Sequence, residues 1–192
     1  MKKLLVLVYA TATLSLAAGA AMADSIKGKA GVTGKIGFMI PSDGDMYSRD
    51  NDTDIGFIGG GGLIYGIDNH YAAEFDVTSS SFDSEYAEFS VTNIALGAQY
   101  RFVLDQPRLV PYLGAGLDIL VNDADQGRSV DTTVGVHAGV GVDYFIMKQL
   151  ALTTEARLLV APDADVQGPG GKVGNFDPTG FSTTFGVRYF FN

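Results

Sequence analysis

The chain has 192 residues, of which 46% are hydrophobic and 18% charged, which is enough material for one domain. Thirteen Lys and Arg residues against 22 Asp and Glu residues give a net charge of −9, which argues against nucleic acid as a partner. The chain contains no Cys, which excludes disulfides, thiolate zinc sites and thiol nucleophiles.

The first part of the chain, residues 1–23, has the three regions of a secretory signal peptide. Lys2 and Lys3 precede an apolar stretch that runs to about residue 18, and Ala21 and Ala23 supply the small residues of a cleavage site. The apolar stretch is short for a membrane-spanning helix and is followed closely by Asp24. We therefore expect residues 1–23 to be cleaved, which leaves an exported domain of residues 24–192.

Beyond residue 24, apolar and polar residues alternate in eight segments, as they do in β-strands whose two faces meet different surroundings. In chain order, these predicted strands are residues 30–40, 55–67, 71–78, 91–102, 109–121, 133–145, 150–160 and 181–191. Charged residues are confined to one face of each strand, and every strand except the second carries at least one there. Taken one strand at a time, this pattern also fits a soluble β-sandwich.

The links between the predicted strands decide between these folds. The links after the second, fourth and sixth strands are short, at residues 68–70, 103–108 and 146–149. The others are longer, at residues 41–54, 79–88, 122–131 and 161–180. Alternating short and long links, an even number of strands and strands of about 10 residues are typical of outer-membrane barrels. We therefore predict an all-β fold, an eight-stranded antiparallel up-and-down transmembrane β-barrel.

Aromatic residues cluster on the apolar faces near the short links. They are Tyr71, Tyr100, Phe102, Tyr144, Tyr189 and Phe191. Rings in this position form the girdle that membrane barrels place at the lipid–water boundary. We expect an outer-membrane location, with the long loops outside the cell and the short turns and the N-terminus in the periplasm. Outer-membrane lipid and lipopolysaccharide are then the surrounding partners.

Three stretches carry a family likeness: residues 62–69 leading into 73–75, residues 111–116, and residues 185–191 with their alternating aromatics. They resemble the small eight-stranded outer-membrane proteins. Within that group, the resemblance to the OmpW-like family is stronger than the resemblance to the OmpX- and OmpA-type barrels. The last stretch is similar to the C-terminal strand that the barrel-assembly machinery recognises, which makes that machinery an expected partner. OmpW-like proteins are thought to admit small hydrophobic molecules from outside and release them sideways into the bilayer, so the resemblance implies such a conduit.

Charged residues on the inward faces form a nearly balanced set. They are Lys35, Arg101, Arg157 and Arg188, with Glu74, Asp76, Asp118, Asp143 and Glu155. The bore of an eight-stranded barrel is just wide enough for side chains to fill it, and a buried charge is costly unless it is paired. We expect these residues to form an ion-pair lattice, with inward-facing glycines leaving room for the long side chains. The lattice would serve as a plug that stiffens the barrel or as a path for protons or ions.

Closer to the long loops, the inward faces carry apolar residues instead. These residues of the apolar upper lumen are Met39, Ile58, Val91, Leu120 and Leu159. An apolar upper lumen above a charged lower lumen suits the entry of a small hydrophobic molecule from outside. The same residues could equally pack against one another and close the top of the barrel.

Groups suited to catalysis or metal binding are scarce. His70 and His137 are predicted to lie far apart, and we expect His137 to pair with Asp118 or a similar neighbour. Residues 50–54 alternate oxygen-bearing side chains but lack the Gly and the distal Glu of a calcium loop. We therefore predict no enzyme activity, no cofactor and no metal site, with weak Ca²⁺ or Mg²⁺ bridging to lipopolysaccharide as the alternative for this loop.

The acidity of the chain is concentrated in the long links. They hold 14 acidic and 3 basic residues, whereas the rest of the chain after residue 23 holds eight of each. The predicted outer end would therefore repel lipopolysaccharide phosphates unless divalent cations intervene. Two functions of different class remain open: a narrow conduit for small hydrophobic molecules, and a non-conducting structural or surface protein whose loops contact other cells, phage or host.

Overall fold

The computed structural model describes residues 25–42, 44–46, 49–51, 55–83, 88–104, 108–124, 128–168 and 171–191. The strands in these ranges are β1 (Ala30–Pro41), β2 (Gly44–Met46), β3 (Arg49–Asn51), β4 (Gly56–Gly66), β5 (Tyr71–Asp83), β6 (Glu88–Arg101), β7 (Leu109–Ala124), β8 (Arg128–Val130), β9 (Thr133–Phe145), β10 (Leu150–Val160), β11 (Ala164–Gly168), β12 (Gly171–Phe176) and β13 (Gly180–Phe190). No helix in the ranges given is long and apolar enough to cross a membrane.

The eight longest strands close into a ring in which each strand pairs antiparallel with two neighbours. The ring runs β1, β4, β5, β6, β7, β9, β10, β13 and back to β1. Its closure is visible at Lys35 of β1, which lies opposite Gly60 of β4 on one side and Gly186 of β13 on the other. Because a closed ring leaves no unpaired strand edge, its backbone can cross lipid with its hydrogen bonds satisfied. The predicted eight-stranded antiparallel barrel is confirmed.

All eight predicted strands are present, and β9 and β10 begin and end at the predicted residues. The prediction that residues 79–88 form a loop is wrong in its length. Residues 79–83 and 88–90 continue β5 and β6 in register, with Ser81 opposite Ser90, so that only residues 84–87 separate the two strands. The reason is that serines in this segment interrupt the apolar alternation on which the strand prediction depends.

The other long links contain short strands that extend the sheet at one end of the barrel. β8 pairs with the end of β7, β11 pairs with β8, and β12, β2 and β3 follow in that order. We call this end the long-loop end. The opposite end, where residues 67–70, 102–108 and 146–149 link the strands, is the short-turn end.

The barrel is apolar outside and polar inside. Outward side chains such as Leu96 and Val134 are 64% and 62% exposed. Inward charged side chains are buried: Arg101 and Arg188 are each 1% exposed, and Asp143 is 0% exposed. This arrangement inverts that of a soluble protein and matches a lipid-facing wall around a polar interior.

Candidate functional site: the barrel lumen

The lower lumen contains one connected network of charged side chains, which we call the lattice. It comprises Lys35, Glu74, Asp76, Arg101, Asp143, Glu155, Arg157 and Arg188. These are eight of the nine residues predicted for it. Four cations thus face four carboxylates, so the lattice has no net charge when all eight groups are ionised.

Arg188 of β13 donates hydrogen bonds to three residues of the lower lumen. Its Nη2 donates to Glu74 Oε1 at 2.8 Å, and its Nη1 donates to the two oxygens of Asp143 at 2.9 and 3.2 Å. Its Nε donates to Thr33 Oγ1 at 3.0 Å. Asp143 also accepts a hydrogen bond from Arg101 Nη2 at 2.6 Å. Because a guanidinium group holds its donors in fixed directions, these bonds tie β13 to β5, β9 and β1.

Arg157 of β10 carries the lattice across the bore. Its Nη2 lies 3.1 Å from Oδ2 of Asp76 on β5, which is the strand opposite β10 in the ring. Its Nε donates to Glu155 Oε1 at 2.8 Å. Asp76 also accepts a hydrogen bond from Lys35 Nζ at 2.5 Å. Charge-assisted hydrogen bonds therefore bridge the full width of the barrel.

Glycines face the lattice from neighbouring strands. Lys35 lies opposite Gly60 and Gly186, Glu74 opposite Gly97, Asp76 opposite Gly62, Glu155 opposite Gly141, and Arg157 opposite Gly139. The reason is space, since a Cβ on Gly62 would lie 2.1 Å from Asp76 Oδ1. Much of the glycine content thus makes room for long charged side chains in a narrow bore.

Tyr112 of β7 belongs to this site, although apolar and polar alternation does not single it out. Its ring centroid lies 5.7 Å from Arg101 Cζ and 5.6 Å from Arg188 Cζ, and its OH donates to Glu155 Oε2 at 3.0 Å. Gly141 gives the ring its space, because a Cβ there would lie 2.3 Å from Tyr112 Cζ. The feature that could have identified Tyr112 from the sequence is its inward position opposite Arg101 in the β6–β7 pair.

Asp118, the ninth residue predicted for the lattice, contacts two other side chains. Its Oδ2 lies 2.6 Å from His137 Nδ1, and its Oδ1 accepts a hydrogen bond from Asn93 Nδ2 at 2.8 Å. Asp118 lies opposite Gly135 of β9, two residues along that strand from His137. The structure thus brings His137 and Asp118 together as a buried pair of their own.

Above the lattice, the lumen contains a small cavity, which we call the chamber. Its apolar wall is formed by Met39, Ile58, Val91, Leu120 and Leu159, the five residues predicted for the apolar upper lumen. Its polar wall is formed by Thr78, Ser80, Asn93, Ser182 and Thr184, and its lower boundary by Lys35, Glu155 and Arg157. The chamber has a volume of about 30 Å³, which is room for about two water molecules.

An apolar cluster closes the short-turn end, and we call it the seal. Its members are Ile26, Ile64, Ala72, Val110, Phe145, Ala151 and Phe190. The rings of Phe145 and Phe190 stack with their centroids 5.9 Å apart. For the six members that lie on strands, alternation predicts that the side chains face inward, but not that they meet. Lattice and seal together close the lower part of the lumen.

Ile26 reaches the seal from the segment that precedes β1. Lys29 N donates to Ile26 O at 2.9 Å, in a turn where Gly28 has a φ of 74°. Gly28 N then donates to Gly66 O at 2.7 Å, and Gly66 N donates to Lys29 O at 2.9 Å. These bonds fold the segment against the end of β4. A single apolar residue in a polar segment was too weak a signal to predict this contact.

The residues predicted for the aromatic girdle lie at strand ends beside the short turns. Ring centroids are 5.3 Å apart for Tyr71 and Tyr100, 5.0 Å for Tyr100 and Phe102, and 5.4 Å for Tyr189 and Phe191. All five side chains are exposed on the outer surface. Tyr71 and Tyr100 contact each other across neighbouring strands, and the other two contacts join residues two apart along the chain. Exposed rings at this level are typical of the band at a lipid–water boundary.

The turn between β4 and β5 is held by the carboxylate of Asp68. It accepts hydrogen bonds from the backbone N–H groups of His70 and Tyr71, each at 2.7 Å. These two bonds hold the pKa of Asp68 below its ordinary value. His70, the second histidine, lies in this turn, at the opposite end of the barrel from the chamber.

Two predicted features fall outside the described residues in whole or in part. The signal peptide of residues 1–23 lies outside them, and of the acidic segment 50–54 only Asp50 and Asn51, in β3, lie within them. In the part of the chain that the structure covers, no group of three His, Asp or Glu side chains is placed to hold a metal ion.

Comparison with solved structures finds the same barrel in several bacterial proteins. OprG from Pseudomonas aeruginosa superposes with a TM-score of 0.69 at 14% identity, over 88% of this chain and 100% of that chain. Neisserial surface protein A gives 0.65 at 20% identity, over 84% and 97%. AlkL, solved in lipid bilayers, gives 0.59 at 16% identity, over 93% and 97%. At these identities the likeness shows a shared fold.

Sequence comparison identifies the family. None of the curated protein sequences matches the chain. The profile described as "Outer membrane protein beta-barrel domain" matches residues 9–191. The predicted resemblance to small eight-stranded outer-membrane barrels is confirmed, with the OmpW-like proteins OprG and AlkL among the structural neighbours. The chain belongs to the outer membrane protein β-barrel domain family, and the outer membrane is its location.

Proposed function

We propose that the barrel is a conduit for small hydrophobic molecules, which enter at the long-loop end, occupy the chamber and leave sideways through the wall into the bilayer. The observation that carries the proposal is the division of the lumen, with a hollow that has one apolar wall toward one end and a closed lattice and seal toward the other. A solute in the chamber could continue along the axis only by separating Arg157 from Asp76. The proposed exit is therefore sideways, between strands of the wall.

In this proposal the lattice is a plug and not a path for ions. Each of its eight charged groups has an oppositely charged partner within 4 Å, and separating a buried pair is costly. A hydrated ion would also have to cross the apolar seal, which offers it no polar group. We further propose a non-enzymatic barrel, since the chain has no Cys and His137 has no Ser next to it in the sequence.

The proposed orientation places the long-loop end outside the cell and the short turns and the N-terminus in the periplasm. The acidic long loops would then meet lipopolysaccharide through divalent cations. The end of β13, with Phe190 and Phe191, would be the part that the barrel-assembly machinery contacts. Protease digestion of loop tags in intact and permeabilised cells tests this orientation, and cleavage at the short turns in intact cells would reverse it.

Uptake by vesicles tests the conduit. Purified protein is inserted into vesicles whose outer leaflet contains lipopolysaccharide, and entry of a hydrophobic fluorescent solute is timed. We expect faster entry than into protein-free vesicles, and no steady ion current in planar-bilayer recordings, because the lattice and the seal block the axis. Entry no faster than into protein-free vesicles would refute the conduit.

Two matched variants locate the entry route. Ser80→Phe adds a ring to the wall of the chamber, whereas Ser79→Phe adds the same ring one residue earlier, on the lipid-facing side. We expect Ser80→Phe to slow uptake to the protein-free rate and Ser79→Phe to leave it unchanged. Equal effects of the two variants would show that the solute does not use the chamber.

The small volume of the chamber favours one alternative function. A space for about two water molecules must widen before a larger solute enters, and a barrel that never widens would be a non-conducting surface protein. Neisserial surface protein A, which shares the fold, is named for such a location. The uptake experiment distinguishes the two functions, since only the conduit predicts accelerated entry.

A further inference from the structure

We propose that the chamber has a fixed place for one hydrogen-bond donor, so that its preferred solute is a small neutral molecule with an apolar chain and a hydroxyl group. This inference rests on the proposed function and names the substrate class of the same site. It depends on the side-chain amide of Asn93, which lines the chamber.

The orientation of the Asn93 amide is set by its neighbours. Its Nδ2 donates to Asp118 Oδ1 at 2.8 Å, and the other oxygen of Asp118 lies 2.6 Å from His137 Nδ1. A carboxylate only accepts hydrogen bonds, so a flipped amide would bring two acceptors together. The oxygen of Asn93 must therefore point away from Asp118.

That oxygen has no partner in the protein. Asn93 Oδ1 is buried and accepts no hydrogen bond from the described residues. On the neighbouring strands Asn93 lies opposite Thr78 and Leu120, both of which also line the chamber. A buried acceptor without a donor is unfavourable, so a solute that brings a donor to it gains free energy that a hydrocarbon does not.

The other side chains that line the chamber determine which further chemical groups the preferred solute has. Met39, Leu120 and Leu159 favour an apolar chain, and the unbranched side chain of Met39 can move aside to enlarge a small space. An anion gains little from Lys35 and Arg157, because both are already bonded to Asp76. A cation gains as little, because Glu155, the carboxylate at the same boundary, is already bonded to Arg157. A neutral alcohol fits both the acceptor and the walls.

Methionine NMR gives a direct test of binding. The chain after residue 23 contains three methionines, of which Met39 lines the chamber and Met147 lies exposed in the turn after β9. Protein labelled at the methionine methyl groups is titrated with 1-butanol and with diethyl ether, an isomer that has no donor. We expect both to shift the Met39 signal and leave Met147 unchanged, with a dissociation constant about fivefold lower for 1-butanol, as one net hydrogen bond gives.

Two variants locate the donor's partner. Asn93→Val should make the two solutes bind equally, whereas Ser79→Ala, on the lipid-facing side of β5, should preserve the preference. Equal binding of the two solutes by the unaltered protein would overturn the inference, whether or not the variants fold, and would leave the conduit standing. If neither solute shifts Met39, the chamber does not admit small molecules and the proposed function fails as well.

Discussion

Replacing Arg188 by Met tests whether charge balance stabilises the lattice. The variant removes one of the four cations while keeping a side chain of similar reach. It leaves Glu74 and Asp143, which are 7% and 0% exposed, without a partner that donates to both. Removing one member of a buried ion pair costs about 3–5 kcal/mol, because the other charge stays buried. We expect the free energy of unfolding to fall by about this amount.

Two companion variants separate charge from geometry. Arg188→Lys keeps the charge but replaces a planar fork with a single ammonium group, which cannot bond Glu74, Asp143 and Thr33 together. We expect it to lose about 1–3 kcal/mol. The double variant Arg188→Met/Glu74→Gln restores a neutral lattice of three cations and three carboxylates. It should be more stable than Arg188→Met alone.

Urea titration in lipid vesicles, followed by the β-sheet signal in far-ultraviolet circular dichroism, measures these differences. The four proteins are compared under one lipid composition and one pH. An Arg188→Met variant that unfolds at the same urea concentration as the original protein would refute the reasoning. A double variant less stable than Arg188→Met would show that the geometry of the bonds, and not the balance of charge, holds the lattice.

Three further predictions concern other parts of the barrel. Gly141→Ala should lower the free energy of unfolding by about 1–3 kcal/mol, because its Cβ would lie 2.3 Å from Tyr112 Cζ; an unchanged urea midpoint would contradict this. Ile26→Ala should cost about 2 kcal/mol and speed hydrogen exchange at the Gly66 amide, which is bonded to the same segment; an unchanged exchange rate would show that the segment does not depend on the seal. The side chain of Asp68, followed by NMR, should titrate below pH 3.8. Its contribution to the stability of the turn is then present above that pH and lost as the pH falls through the lowered pKa. A titration midpoint at or above 3.8 would contradict this.

The fold and the direction of most side chains could be predicted from the sequence because a strand alternates strictly. Once the apolar face of β10 is placed toward lipid, Glu155 and Arg157 must both point inward. The same rule places Met39 and Leu159 in the upper lumen, where the structure has them. It fails for residues 79–83, where serine replaces the apolar residues on which the alternation depends.

The partners within the lumen could not be predicted, because they depend on the stagger of the ring. Arg157 and Asp76 are 81 residues apart and lie on opposite strands, so no local spacing relates them. Asp118 carries the same inward signal as the lattice carboxylates, but its position opposite Gly135 of β9 places it beside His137 instead. Ile26 was missed for a different reason, since it lies before the first strand and alternation does not reach it.

Arg157 shows how the closed and the hollow parts of the lumen depend on each other. It lies at the lower boundary of the chamber and also bridges the bore to Asp76. An eight-stranded bore stays hollow only where the inward side chains are short, and Ser80 and Ser182 are short residues in the chamber wall. The long side chains that could fill this space, Lys35 and Arg157, are held by carboxylates of the lattice. The paired charges thus close the lumen and at the same time keep the chamber open above them.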